Sequence, residues 1–70
     1  MSKQPDLEQL KRIMAKEQMT FERLAEKTGL PKLHLIDLLE GEQEIKASEI
    51  IAISDALNLS DAQKIKIFCR

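Results

Sequence analysis

"TGLPKLHLIDLLEG", residues 28–41, decides the fold. Gly29 follows a helix-forming run, Pro31 opens the next one, and Gly41 closes it. Proline suits the first turn of a helix, where its missing N–H would be unpaired anyway. Glycine suits the left-handed residue just past a helix end. The stretch therefore predicts two short helices joined by a tight turn. On a wheel of about 100° per residue, Leu35, Leu38 and Leu39 share one arc, which marks them as core. Leu33, Ile36, Asp37 and Glu40 share the opposite arc, and only Lys32 and His34 on its flanks offer a donor.

Helical signals continue on both sides. Pro5 opens a first helix whose apolar stripe runs through Leu7, Leu10, Ile13 and Met14 toward Glu17. Thr20 is a good N-cap for the next helix. "EQEIKA" (42–47) reads as a connecting loop, followed by a helix with Ile50, Ile53 and Leu57 on one face. "SDAQ" (60–63) is a capping box, since Ser60 can cap and Gln63 can reach back. The last helix is expected to carry Ile65 and Phe68 inward. The prediction is an all-α, compact five-helix domain over residues 1–70, with helices at about 5–17, 21–28, 31–40, 48–57 and 61–69.

Seventy residues allow one small core. No apolar run reaches the length of a membrane span. Met1-Ser2-Lys3-Gln4 is not followed by the apolar stretch of a secretory leader, so the cytoplasm is the expected location. Cys69 is the only cysteine, which rules out an internal disulfide and points to a small apolar residue near a chain end. Catalytic and metal chemistry find little support. His34 is the only histidine, with no second His or Cys at ligand spacing, so no zinc site is expected. Ser54 and Ser60 have no general base in a recognisable pattern, and no glycine-rich phosphate loop is present. Glu40, Glu42 and Glu44 are expected to form a solvated loop. The expectation is a protein without enzymatic activity, cofactor or small-molecule substrate.

The chain resembles the lambda-repressor and Cro-like helix-turn-helix superfamily, the XRE type, over roughly residues 10–59. The resemblance is carried by Leu24-Ala25, Gly29, Leu30, Leu35, Leu38 and Gly41, then by "IIAISDALNLS" (50–60). It implies the lambda-repressor-like fold, a role in transcription control, and a third helix that lies in the major groove of DNA. Many members bury an arginine of the first helix against a glutamate of the third. Those positions fall on Met14 and Leu39, so an apolar contact is expected there. The "TFERLAEKTGLPKLHLIDLLEGEQ" stretch (20–43) is also similar to the N-terminal helical domain of cyanase, in which the same topology serves assembly. The cyanase catalytic residues have no counterpart in this chain.

Two modes of action follow. In the first, helices 2 and 3 form a protein-binding face, for a second copy or for another regulator as in an antirepressor. Phe21, Leu33 and Ile36 supply its apolar centre, and Asp37 and Glu40 its acidic rim. Leu33 and Ile36 stand about 60° apart on the wheel, which makes one small ridge, and an apolar centre with a polar border is the anatomy of an interface. In the second, the chain is a dimeric DNA-binding repressor that uses Thr20, Arg23, Lys27, Lys32, His34 and Lys46. Charge favours the first mode. Residues 20–46 hold four bases (Arg23, Lys27, Lys32, Lys46) and six acids (Glu22, Glu26, Asp37, Glu40, Glu42, Glu44), a net of −2. Such a surface repels a phosphate backbone.

Overall fold

A computed structural model of the chain describes residues 5–69, so residues 1–4, where a leader was looked for, lie outside it. Five helices follow one another: α1 (Leu7–Lys16), α2 (Phe21–Thr28), α3 (Lys32–Leu39), α4 (Ala47–Ala56) and α5 (Asp61–Phe68). None exceeds 10 residues. Helices this short are marginal in water by themselves, so their stability comes from packing and from their ends.

The ends are well made. Asp6 caps α1 by accepting from the Gln9 N–H, and Thr20 caps α2 by accepting from the Arg23 N–H. Ser60 and Gln63 form the expected capping box on α5, with bonds of 3.2 and 2.9 Å. Three C-termini close with the same pair of backbone bonds, the six-to-one and five-to-two pattern around a left-handed residue. After α1 these run from Met19 to Met14 and from Gln18 to Ala15. After α3 they run from Glu42 to Asp37 and from Gly41 to Leu38, and after α4 from Leu59 to Ser54 and from Asn58 to Asp55. The left-handed residues are Gln18, Gly41 and Asn58.

The turn between α2 and α3 uses a fourth left-handed residue, Gly29, at φ 77°. A Cβ at Gly29 would meet nothing within 4 Å, so it is the backbone angle and not lack of space that favours glycine there. Thr28 staples the turn: its hydroxyl donates to the Leu24 carbonyl at 2.7 Å and accepts from the Leu30 N–H at 3.2 Å.

One buried cluster joins all five helices. Leu10, Leu24, Leu35, Leu38, Leu39, Ile53 and Ile67 are wholly buried, and Ile13, Met14, Leu57 and Leu59 nearly so. Leu7, Met19, Phe21, Leu30, Ile45 and Phe68 pack on its border. α2 packs chiefly on α4 and α3, while α1 touches α3 and α5. The Asp6 N–H donates to the Ile67 carbonyl at 2.8 Å, which fastens the start of α1 to the end of α5.

Several boundaries differ from the sequence expectation. α1 begins at Leu7, two residues beyond Pro5, because Asp6 is the cap. It ends at Lys16, because Gln18 turns left-handed, and Glu17 is exposed instead of extending the stripe. Pro31 is the extended N-cap of α3 and Glu40 its C-cap, which trims that helix to 32–39. α4 spans 47–56 in place of 48–57, since Glu49 reaches back to the Lys46 N–H and starts the helix one residue early. α5 stops at Phe68, and Cys69 is its exposed cap residue. Ile65 is 60% exposed, whereas Ile67 is fully buried. Two residues on one helix separated by two positions face nearly opposite ways, so the inward isoleucine is the later one. Ile45, inside the expected loop, packs against the core.

Met14 and Leu39 both lie in the central cluster, as an apolar replacement for an ion pair requires. Leu39→Glu would bury a carboxylate with no partner. The expected cost is at least about 3 kcal/mol, against a total stability on the order of 3–10 kcal/mol for a chain this short. Urea unfolding should find a much lower midpoint for this variant. A midpoint equal to that of the parent would refute the burial of Leu39 in the core.

Candidate functional site

The two helices of the opening stretch build one exposed face. α3 ends its buried arc with Leu35, Leu38 and Leu39, all fully enclosed. Leu33 stands roughly 170° from the centre of that arc and Ile36 roughly 110°. The exposures follow this geometry. Leu33 is 75% exposed, more than Ile51 or Ile65, while Ile36 is half-buried. Phe21 is also half-buried and packs on the core. Asp37 is half-buried and accepts from the Gln43 side-chain amide at 3.4 Å. Glu40 is exposed and pairs with Lys11 of α1 at 3.5 Å. Of the expected apolar centre, Leu33 alone projects fully into solvent.

The basic side chains divide into two groups. Lys32 donates to Glu22 of α2 at 2.6 Å, and the Lys32 ammonium holds the Glu22 carboxyl below its ordinary range. His34 Nε2 lies 2.6 Å from the Glu49 carboxylate of α4. Both donors on α3 are thus held by an acid from a neighbouring helix. Arg23, Lys27 and Lys46 are exposed and make no ion pair among the described residues. Thr20 is exposed, and its hydroxyl is occupied as the α2 cap. α3 itself begins with no side-chain cap and no acid in its first turn. Its first N–H groups therefore keep the partial positive charge of a helix N-terminus.

Two partners in this arrangement, Glu22 and Glu49, were not singled out from the sequence. Glu22 is ten residues from Lys32, so only the folded turn brings them together. Glu49 sits three residues after Lys46, and lysine gives no N-cap signal by which such a box could be read. The acidic loop residues Glu42 and Glu44 are exposed. Among the described residues no group of three or more His, Cys, Asp or Glu side chains is placed to hold a metal ion. No helix of the described residues is long and apolar enough to cross a membrane.

Glu49 is the buried charge of the molecule, 7% exposed. The Lys46 N–H, at 2.9 Å, and then His34 favour its charged form and lower its pKa from 4.5. A carboxyl whose folded pKa lies below its unfolded value stabilises the fold fully above that unfolded value. The contribution disappears as pH falls through the lowered folded value. Urea unfolding between about pH 3 and pH 7 should show an acid-side loss that starts near the ordinary carboxylate range. Glu49→Gln should be less stable at neutral pH and should lack that part of the acid limb. An unchanged acid limb in the variant would show that the His34–Glu49–Lys46 bonds contribute nothing.

Comparison with known proteins places this geometry. The profile of the Cro/C1-type HTH DNA-binding domain matches residues 9–63, from within α1 to the first turn of α5. No curated protein and no solved structure matches the chain. The matched span contains α2, the Gly29 turn, α3 and α4 in full, and the chain belongs to the Cro/C1-type helix-turn-helix DNA-binding domain family.

Proposed function

We propose that the chain is a non-enzymatic transcription regulator that binds DNA by laying the first turn of α3 in the major groove. The observation that carries this reading is the match to a DNA-binding domain family over residues 9–63. The geometry of α3 supports it. The residue opposite the buried arc, Leu33, lies in the N-terminal turn, the part of such a helix that meets base edges. The uncapped N-terminus of α3 suits a phosphate. Arg23 and Lys27 of α2 and Lys46 before α4 are the phosphate contacts in this reading, and a second copy on a two-fold site would double them.

The competing charge sets the strength of binding. A net of −2 over residues 20–46 gives weak attachment to random duplex. Three phosphate contacts predict a slope of about −2.7 in log affinity against log salt, or about a 40-fold loss between about 50 and about 200 mM. Glu22→Gln frees Lys32 and removes one negative charge. It should tighten binding to any duplex several-fold and steepen the slope to about −3.6. Fluorescence titration of a labelled duplex at several salt concentrations measures both. Absence of binding at low salt in both proteins would defeat the DNA reading.

A second reading has its own observation. Leu33 is 75% exposed beside an acidic border of Asp37 and Glu40, which suits a protein partner with an apolar groove and a basic edge. The similarity to the cyanase N-terminal domain is its precedent. Leu33→Ser combined with Ile36→Ser would then abolish self-association or partner capture. Because Ile36 is half-buried, the double variant is also expected to lose some stability. Sedimentation of the parent and of the Leu33→Ser single variant separates the two effects. A monomeric parent that binds duplex would leave only the first reading.

A further inference from the structure

The first turn of α3 presents an apolar side chain between two donors that are already engaged. Lys32 is held by Glu22 and His34 by Glu49, each at 2.6 Å. Leu33 lies between them in sequence and is 75% exposed. From Lys32 to Leu39, the whole of α3, no arginine, asparagine or glutamine occurs, so Lys32, already bonded to Glu22, is the one side chain of the helix of a type that reads guanine or adenine in bidentate fashion. A base pair that meets this turn offers one feature leucine can recognise, the methyl group of thymine in the major groove.

We infer that Leu33 is the specificity-determining residue of the interface and that it selects thymine, or another 5-methylpyrimidine, through contact with the methyl group. The inference rests on the DNA-binding reading given above. Leu33 opposes the core arc, so no competing packing inside the domain fixes its side chain. The acids on Lys32 and His34 lower the contribution of donor readout, and Asp37, the one acceptor of α3 suited to cytosine, is half-buried and accepts from Gln43, which leaves methyl contact as the main source of discrimination. Ile36, half-buried on the flank, is positioned to back Leu33 and not to reach a second base alone.

The test starts from a library of duplexes with a randomised core, enriched on the full chain over several rounds. In an enriched duplex each thymine is then replaced singly by deoxyuridine, which removes the methyl and keeps Watson–Crick pairing. One buried methyl is worth about 0.8 kcal/mol, so one or two replacements per half-site should each weaken binding about fourfold. Leu33→Ala should bind thymine and deoxyuridine duplexes equally and melt like the parent, since Leu33 is outside the core. Enriched duplexes whose affinity is unchanged by every replacement would overturn the inference while leaving the DNA reading intact. So would a Leu33→Ala protein with the parent's full penalty. No enrichment, with no binding to the starting library at low salt, would overturn the DNA reading itself and the inference with it.

Discussion

Burial of Leu35, Leu38 and Leu39 is the constraint on which the rest of the structure depends. α3 has eight residues, little more than two turns, and an isolated helix of that length does not persist in water. Three leucines with no exposure fix it to α1 and α2, and fix its rotation as well. Once that rotation is set, Leu33 has to point away from the protein. The left-handed residues Gly29 and Gly41 stop the flanking chain at the right points. Without them α2 and α3 would have to run on or fray, and the angle between the two helices would be lost.

Electrostatics act on this frame as a competition. Residues 20–46, from the cap of α2 to the cap of α4, hold more acids than bases. Two acids, Glu22 within that segment and Glu49 beyond it, have local structural work. Glu49 is buried, starts α4 by accepting the Lys46 N–H, and holds His34, so its charge is balanced within the fold. Glu22 is exposed and pairs with Lys32 across the α2–α3 turn. An exposed pair of this kind adds little stability, but it sets an acid beside the one lysine of α3 and weakens that lysine's pull on a phosphate or a base edge. The cost of the acidic face therefore falls on non-specific attachment more than on the fold.

Much of the fold was legible because its signals are local. Thr20, Gly29, Gly41 and the Ser60–Gln63 box act within a few residues of themselves, and each does what its type predicts. The arc of α3 was equally readable, since three leucines in five positions leave one possible rotation. Where the pattern was degenerate, the reading failed. Ile65 and Ile67 are chemically identical, and the choice between them is made where α5 meets the start of α1, whose cap residue Asp6 donates its N–H to the Ile67 carbonyl. Gln18 gives no sequence sign that it will adopt a left-handed angle, and Ile45 gives none that the loop will fold back on the core. At the candidate site the exposed bases were visible, but their acid partners were not. Glu22 and Glu49 stand ten and fifteen residues from Lys32 and His34, and nothing local connects them.

In the proposed DNA-binding mode, leucine in the first turn of α3 is puzzling only if recognition must be polar. Hydrogen-bond readout demands donors that are free and correctly aimed, and in α3 both candidates are tied back to the domain. An apolar side chain has no such requirement. It gains by excluding water from a methyl group, a contact that tolerates small errors of angle and is insensitive to the surrounding acids. A domain with a net negative face loses long-range attraction for every sequence alike. Short-range apolar contact is the kind of discrimination that loss leaves untouched. The same residue, exposed in the unbound chain, is also what a protein partner would cover, so the two readings of the face compete for one leucine. The family to which the chain belongs favours the groove, and with Ile36 and Phe21 half-buried, Leu33 is the one apolar side chain of the expected centre that projects fully from this face.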